Sequence, residues 1–246
     1  MGKGTIRQIL LITDGCSNQG EDPVRVSEQI AQQGISVNVI GVMEDDQTEN
    51  PTGLAEVNEI AQAGNGVSRI VYAEELSETV QMVTQKAMTQ TIQGYVSQEL
   101  KGIFGKEMRE EDLPPDTKEE VQEIVEELGE TVDLQVLILI DTSASMQDKM
   151  SAVRESLNDM VISLKSRMGS YYFSIYQFPT RRKITKQLLS WTNRGADIAK
   201  VFPKLATGGI TPTGSALKEA VKIFDQEVIG EEVDYDIIDT SYRSSS

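Results

Sequence analysis

Leu134-Gln-Val-Leu-Ile-Leu-Ile140-Asp141-Thr-Ser143-Ala-Ser145-Met146 is the stretch on which the reading of this 246-residue chain turns. Its first seven residues carry Gln135 as their one polar side chain, the composition of a strand buried on both faces of a parallel sheet. Asp141, Ser143 and Ser145 then alternate by two while the backbone is still extended. Alternation places their oxygens on one side, at the carboxyl edge of the sheet, where open α/β folds bind ligands. One carboxylate and two hydroxyls suit a hard divalent cation. Ser145 could instead cap a helix starting near Gln147, with Asp148 at its third position as the reciprocal partner. Beyond it, Met150, Val153, Leu157, Met160, Val161, Leu164 and Met168 recur at helical spacing, which predicts core packing.

Working outward, Tyr171 to Phe178 reads as an aromatic-rich strand and Ile184 to Leu189 as another, antiparallel to it. Gly208-Gly209-Ile-Thr211-Pro-Thr213-Gly214 follows. Its glycines permit close backbone approach, and Thr211 precedes a proline suited to a helix start, so taken alone the loop could be a helix cap and nothing more. A helix then carries Leu217, Ala220, Val221 and Phe224. The first half opens on a second buried strand, Ile9-Leu-Leu-Ile-Thr-Asp14-Gly15, ended by turn chemistry. Helix Pro23 to Gly34, strand Ile35 to Met43, a helix through Leu54, Val57, Ile60 and Ala61, strand Arg69 to Ala73 and a helix through Leu76, Val80, Val83 and Ala87 complete it. Helices alternating with buried strands predict an α/β fold, a doubly wound, Rossmann-like, mostly parallel sheet flanked by helices. The two halves do not resemble each other, and each supplies what the other lacks.

Charge is concentrated. Of a net −16, residues 107–133 hold −10 and the tail from Gly230 holds −4, leaving about −2 for the rest. With no basic stripe to replace phosphate counterions, nucleic acid is not an expected partner. The acidic segment reads as a connector, interrupted by Pro114-Pro115, with one amphipathic helix bearing Val121, Ile124, Val125 and Leu128. That helix either rests on the domain or binds a partner. Zero histidine removes Ser-His-Asp, Cys-His and imidazole acid–base chemistry. A single cysteine, Cys16, excludes an internal disulfide and, without histidine, a structural zinc site. Any metal would be held by oxygens, which points to Mg²⁺, Mn²⁺ or Ca²⁺. Cys16 reads as a small buried or rim residue, and Asp22, Asp45 and Asp46 as solvated loop acids.

Asp-Thr-Ser-Ala-Ser-Met, Gly-Gly-Ile-Thr-Pro-Thr-Gly and Leu-Ile-Thr-Asp-Gly resemble the three segments that build the metal-ion-dependent adhesion site (MIDAS) of von Willebrand factor A domains. The resemblance covers about residues 5–95 and 133–228. Carried over residue by residue, it implies Ser143, Ser145 and Thr211 as hydroxyl ligands and Asp141 and Asp14 as carboxylates. The family order runs from the Ser loop through the Thr loop to the Asp-Gly strand, whereas here the Asp-Gly strand comes first. The resemblance therefore implies a circularly permuted strand order. Residues 5–95 would be the family's C-terminal half, 96–132 an acidic linker with a short helix, 133–228 the N-terminal half, and 229–246 a disordered tail. The opening residues also resemble relatives from spore-forming Gram-positive bacteria, which suggests a sporulation context.

The resemblance implies a protein-interaction module, not an enzyme, in which a Mg²⁺ ion (or Mn²⁺ or Ca²⁺) binds an Asp or Glu offered by a protein partner. Two other readings stay open. A Mg²⁺-dependent hydrolase or phosphoryl-transfer enzyme also fits a strand-end aspartate, although Ser143 occupies the second position of a phosphatase-like Asp-x-Asp. A scaffold acting without metal through its acidic connector is the other, with self-inhibition by an acid from the connector or tail as a variant. No apolar run is long enough to span a membrane and the start lacks a signal-peptide pattern, so no membrane partner and a cytoplasmic location are expected. The halves could pair within one chain or exchange between two.

Overall fold

In the computed structural model, which describes residues 4–15, 17–43, 51–104, 114–205, 208–209 and 211–224, two strands from opposite halves of the sequence lie side by side. β1 (Thr5–Thr13) pairs in parallel with β4 (Asp133–Asp141), from Ile6 against Leu134 to Ile12 against Ile140. Both strands are covered on both faces, as their apolar runs require: Ile9 to Ile12 and Val136 to Ile140 are at most 1% exposed. Each such side chain contributes about 1.5–3 kcal/mol relative to exposure in water. On the far side of β1 lie β2 (Ile35–Met43) and then β3 (Ser68–Tyr72); on the far side of β4 lie β5 (Tyr171–Phe178) and β6 (Lys186–Thr192). All are parallel except β6, which runs antiparallel to β5.

Alternation along the strands feeds two cores. Leu10, Ile12, Ile138 and Ile140 meet α3 (Leu76–Phe104) and α5 (Met150–Lys165). Ile9, Leu11, Leu137 and Leu139 face α1 (Pro23–Ala31), α2 (Pro51–Ala63) and α6 (Thr213–Val221). The order in which strands are added reverses between β1, which leads to β2 on one side, and β4, which leads to β5 on the other. That is the topological switch point, where doubly wound sheets open a crevice at their carboxyl edge.

Several expectations change. α3 runs to Phe104, past residue 95 where the first half is expected to end, so the start of the expected linker is helical. A second helix, α4 (Pro115–Thr131), packs on α3 through Val121 and Val125, while Ile124 and Leu128 remain 47% and 37% exposed. Only half of its apolar stripe is therefore used. Met168 is 75% exposed because α5 ends at Lys165 and the chain turns, with the Met168 and Gly169 amides donating to the Glu130 carbonyl. Asp22 is not a free loop acid: it caps α1, its Oδ1 accepting from the Val24 amide at 3.0 Å. Cys16, Asp45, Asp46, residues 107–113 and the tail 229–246 lie outside the described residues.

Candidate metal centre

Because β1 and β4 are parallel and in register, their ends share one edge, and Thr13 falls opposite Asp141. The Thr13 hydroxyl donates to Asp141 Oδ2 at 2.7 Å. The Ser143 amide donates to Asp141 Oδ1 at 2.8 Å, which curls the loop back over the strand end. Ser143 Oγ and Ser145 Oγ are 3.2 Å apart, and Ser145 Oγ donates to Asp14 Oδ1 at 3.0 Å. Four of the five expected site residues thus form one connected set. Ser145 spends its hydroxyl on Asp14 and not on a helix cap, and residues Ala144–Lys149 form a 3-10 turn before α5.

Thr211 lies on the third loop, which is tied to the same edge through its backbone. Its amide donates to Asn18 Oδ1 at 2.9 Å, and its carbonyl accepts from the Asn18 amide at 3.1 Å and from Ser17 Oγ at 3.3 Å. Among the described residues, no hydrogen bond joins its buried side chain to the other four. Nor does it cap α6, which starts after Pro212 without a side-chain cap. The Gly208 amide donates to the Thr142 carbonyl at 2.8 Å, linking the Thr loop to the Ser loop. Gly209 has φ +103, which L side chains rarely adopt, and it passes close to Pro179. Gly214 is needed for proximity: a Cβ there would collide with the Glu21 carbonyl oxygen.

Sequence reasoning missed Lys149. Its Nζ donates to Asp14 Oδ2 at 2.7 Å and to the Ser145 carbonyl at 3.1 Å, and both charged side chains are only 4% exposed. A signal was present: Lys149 lies three residues after Met146 and four before Val153, on the stripe that must face inward, where an ammonium needs a partner. Glu56 was missed as well. On α2, its carboxylate accepts the Ser17 amide at 2.6 Å and so holds the loop after Asp14; burial pushes its carboxyl up. No local pattern announced that contact.

Burial likewise raises the Asp141 carboxyl above its ordinary range, opposed by the hydrogen bonds from Thr13 and Ser143 and reinforced by the Asp14 charge. Asp141 is fully buried, yet its described donors are neutral, a state that a cation beside it would offset. Among the described residues no three acidic, cysteine or histidine side chains cluster as a metal site, so any ion here would depend on hydroxyls as well as the two carboxylates. That all-oxygen donor set fits a hard divalent ion. No described helix is long and apolar enough to cross a membrane.

A profile of the von Willebrand factor type A domain matches residues 2–86 and 135–233, the two segments whose strand ends carry Asp14 and Asp141. An uncharacterized Bacillus subtilis (strain 168) protein, YabS, is 53% identical over 226 residues, covering 92% of each chain. The crystal structure of an uncharacterized protein from Alicyclobacillus acidocaldarius subsp. acidocaldarius DSM 446 is 40% identical, covers 89% of this chain and 94% of that one, and superposes with a TM-score of 0.80. With more than half its length matched, and with the α/β sheet and strand-end residues in place, this chain belongs to the von Willebrand factor type A domain family.

Proposed function

We propose that the chain is a metal-ion-dependent protein-interaction module of the MIDAS type and that it performs no catalysis. The observation that supports this most is the convergence of Asp14, Asp141, Ser143 and Ser145 at one sheet edge, with a buried Asp141 carboxylate met by neutral donors. Asp141, Ser143, Ser145, Thr211 and Asp14 would hold the ion, Mg²⁺ by preference, and an ion held largely by neutral hydroxyls stays electrophilic toward a partner's Asp or Glu. The residues themselves do the rest. Thr13 and the Ser143 amide orient Asp141, Ser145 orients Asp14, and Lys149 supplies the positive charge that Asp14 needs when no ion is present. In this reading the domain is a permuted one, joined through α3 and α4, and works as a single chain in the cytoplasm.

Calorimetric titration of the full chain with MgCl₂ or MnCl₂ tests the metal directly, and Asp141→Ala or Thr211→Ala should abolish binding while leaving the melting curve in place. A pull-down in Mg²⁺ and in EDTA tests the partner. Undiminished capture in EDTA, or wild-type capture by Asp141→Ala, would overturn the proposal. Turnover of a generic phosphoester that requires both Mg²⁺ and Asp141 would replace it with the enzymatic reading.

A further inference from the structure

Arg181-Arg182-Lys183 is the one run of three consecutive basic residues in a chain of net charge −16. It occupies the loop between β5 and β6, and all three side chains are exposed. The loop is shaped from within: Thr180 Oγ1 donates to the Lys183 carbonyl at 2.6 Å and accepts from the Lys183 amide at 3.0 Å. None of the three basic groups forms an ion pair with a described residue. Three adjacent like charges that pair with no counter-charge among the described residues repel one another, a cost that an anionic ligand would relieve.

The loop borders a surface cleft of about 570 Å³ lined by Arg182, Lys183, Pro179, Pro212, Ser215 and Glu219, among others. Glu219 is already engaged, accepting from the Thr185 hydroxyl at 2.6 Å and the Thr185 amide at 3.2 Å. The cleft adjoins the candidate metal centre on two sides. Pro212 follows Thr211 directly, and the Pro179 carbonyl accepts from Thr142 Oγ1 at 3.3 Å. The acids of α4 lie elsewhere. The helix runs into the start of β4, where Arg167 holds the Gly129 and Val132 carbonyls, at the opposite edge of the sheet.

We propose that this cleft seats an acidic segment of a partner protein, whose additional Asp and Glu residues meet Arg181, Arg182 and Lys183 beside the carboxylate taken at the metal centre. The inference rests on the reading given above and adds to it the chemistry of the partner: an extended, multiply acidic peptide. The prolines and Ile184 supply an apolar wall for such a chain, and at physiological salt the basic charges act over about 8 Å.

The test is fluorescence anisotropy on the full chain in Mg²⁺, with labelled octa-aspartate and octa-asparagine peptides as probes. The aspartate peptide should bind better, and R181S/R182S/K183S should weaken it about tenfold at low salt. The difference should shrink at about 0.5 M NaCl, and the variant's melting curve should match the parent's. Equal binding of the two peptides, metal-dependent binding indifferent to the loop variant, or equally tight binding of oligo(dT) would overturn the inference. Tighter peptide binding after deletion of residues 229–246 would also overturn it, by assigning the cleft to the chain's own tail. Aspartate binding that needs the loop but survives EDTA would instead overturn the metal-centre reading and leave the cleft assignment standing.

Discussion

Replacing Lys149 with Met keeps an unbranched side chain as long as the lysine stem and removes the ammonium that faces Asp14 at 2.7 Å. Both partners are 4% exposed, so the variant leaves a buried carboxylate with Ser145 Oγ as its remaining side-chain partner. Deleting one partner of a buried ion pair costs about 3–5 kcal/mol. We therefore expect Lys149→Met in EDTA to be about 3–5 kcal/mol less stable than the parent. In the proposed metal-dependent reading, a divalent ion would supply the missing charge, and in the variant it would displace no ammonium. At about 100 times its dissociation constant it should restore about 2.7 kcal/mol, more than the parent gains at the same concentration. Urea unfolding followed by the single tryptophan suits the measurement, since Trp191 is 8% exposed and packs on Phe224 at 5.4 Å between ring centres. Unfolding within about 0.5 kcal/mol of the parent in EDTA, or an equal gain from Mg²⁺ in both proteins, would refute the reasoning.

Because burial raises the Asp141 carboxyl, a proton would compete with the proposed ion at pH values above the usual carboxylate range. Divalent affinity should rise with pH through that window and then level off; a flat calorimetric profile would count against it. The same shift predicts that the metal-free protein loses stability as pH rises through the window, since the folded state holds that proton longer than the unfolded chain. Asp197 runs the other way: the hydrogen bond from Lys200, followed by that from Arg194, holds its carboxyl below the ordinary range. Asp197→Asn should cost stability at neutral pH, with the deficit closing as pH falls through Asp197's depressed folded value; a deficit that persists in acid would exclude the ion pairs as its cause. Gly214→Ala places a methyl group against the Glu21 carbonyl and should destabilise by about 1–3 kcal/mol in urea unfolding. An Ala variant as stable as the parent would show that α1 and α6 do not approach as closely as described.

Much of the fold was legible because buried parallel strands leave a composition that little else does. Ile9 to Thr13 and Leu134 to Ile140 read as strands without reference to any neighbour, and they occupy the centre of the sheet. Helix faces were legible where spacing was regular, as at Leu76, Val80, Val83 and Ala87, all of them buried. Helix ends were less so. Nothing local says that α3 passes Gly94 and runs to Phe104, or that α5 ends before Met168. At the site, the Asp141, Ser143, Ser145 alternation was legible, and Lys149 was hidden by a pattern read only for apolar residues.

By itself the sequence determined the class of fold, the strand ends on which Asp14 and Asp141 ride, and a donor set made of oxygens, since these follow from short-range pattern and from the absence of histidine. Only the tertiary structure decided that β1 and β4 are neighbours in register, which brings residues 127 positions apart onto one sheet edge. It alone decided that Lys149 faces Asp14 and that the basic loop after β5 borders the Thr211 loop. The physical reason is the same in each case. Pairing between distant strands and the burial of a charge are settled by which surfaces meet, and that information is spread over the whole chain.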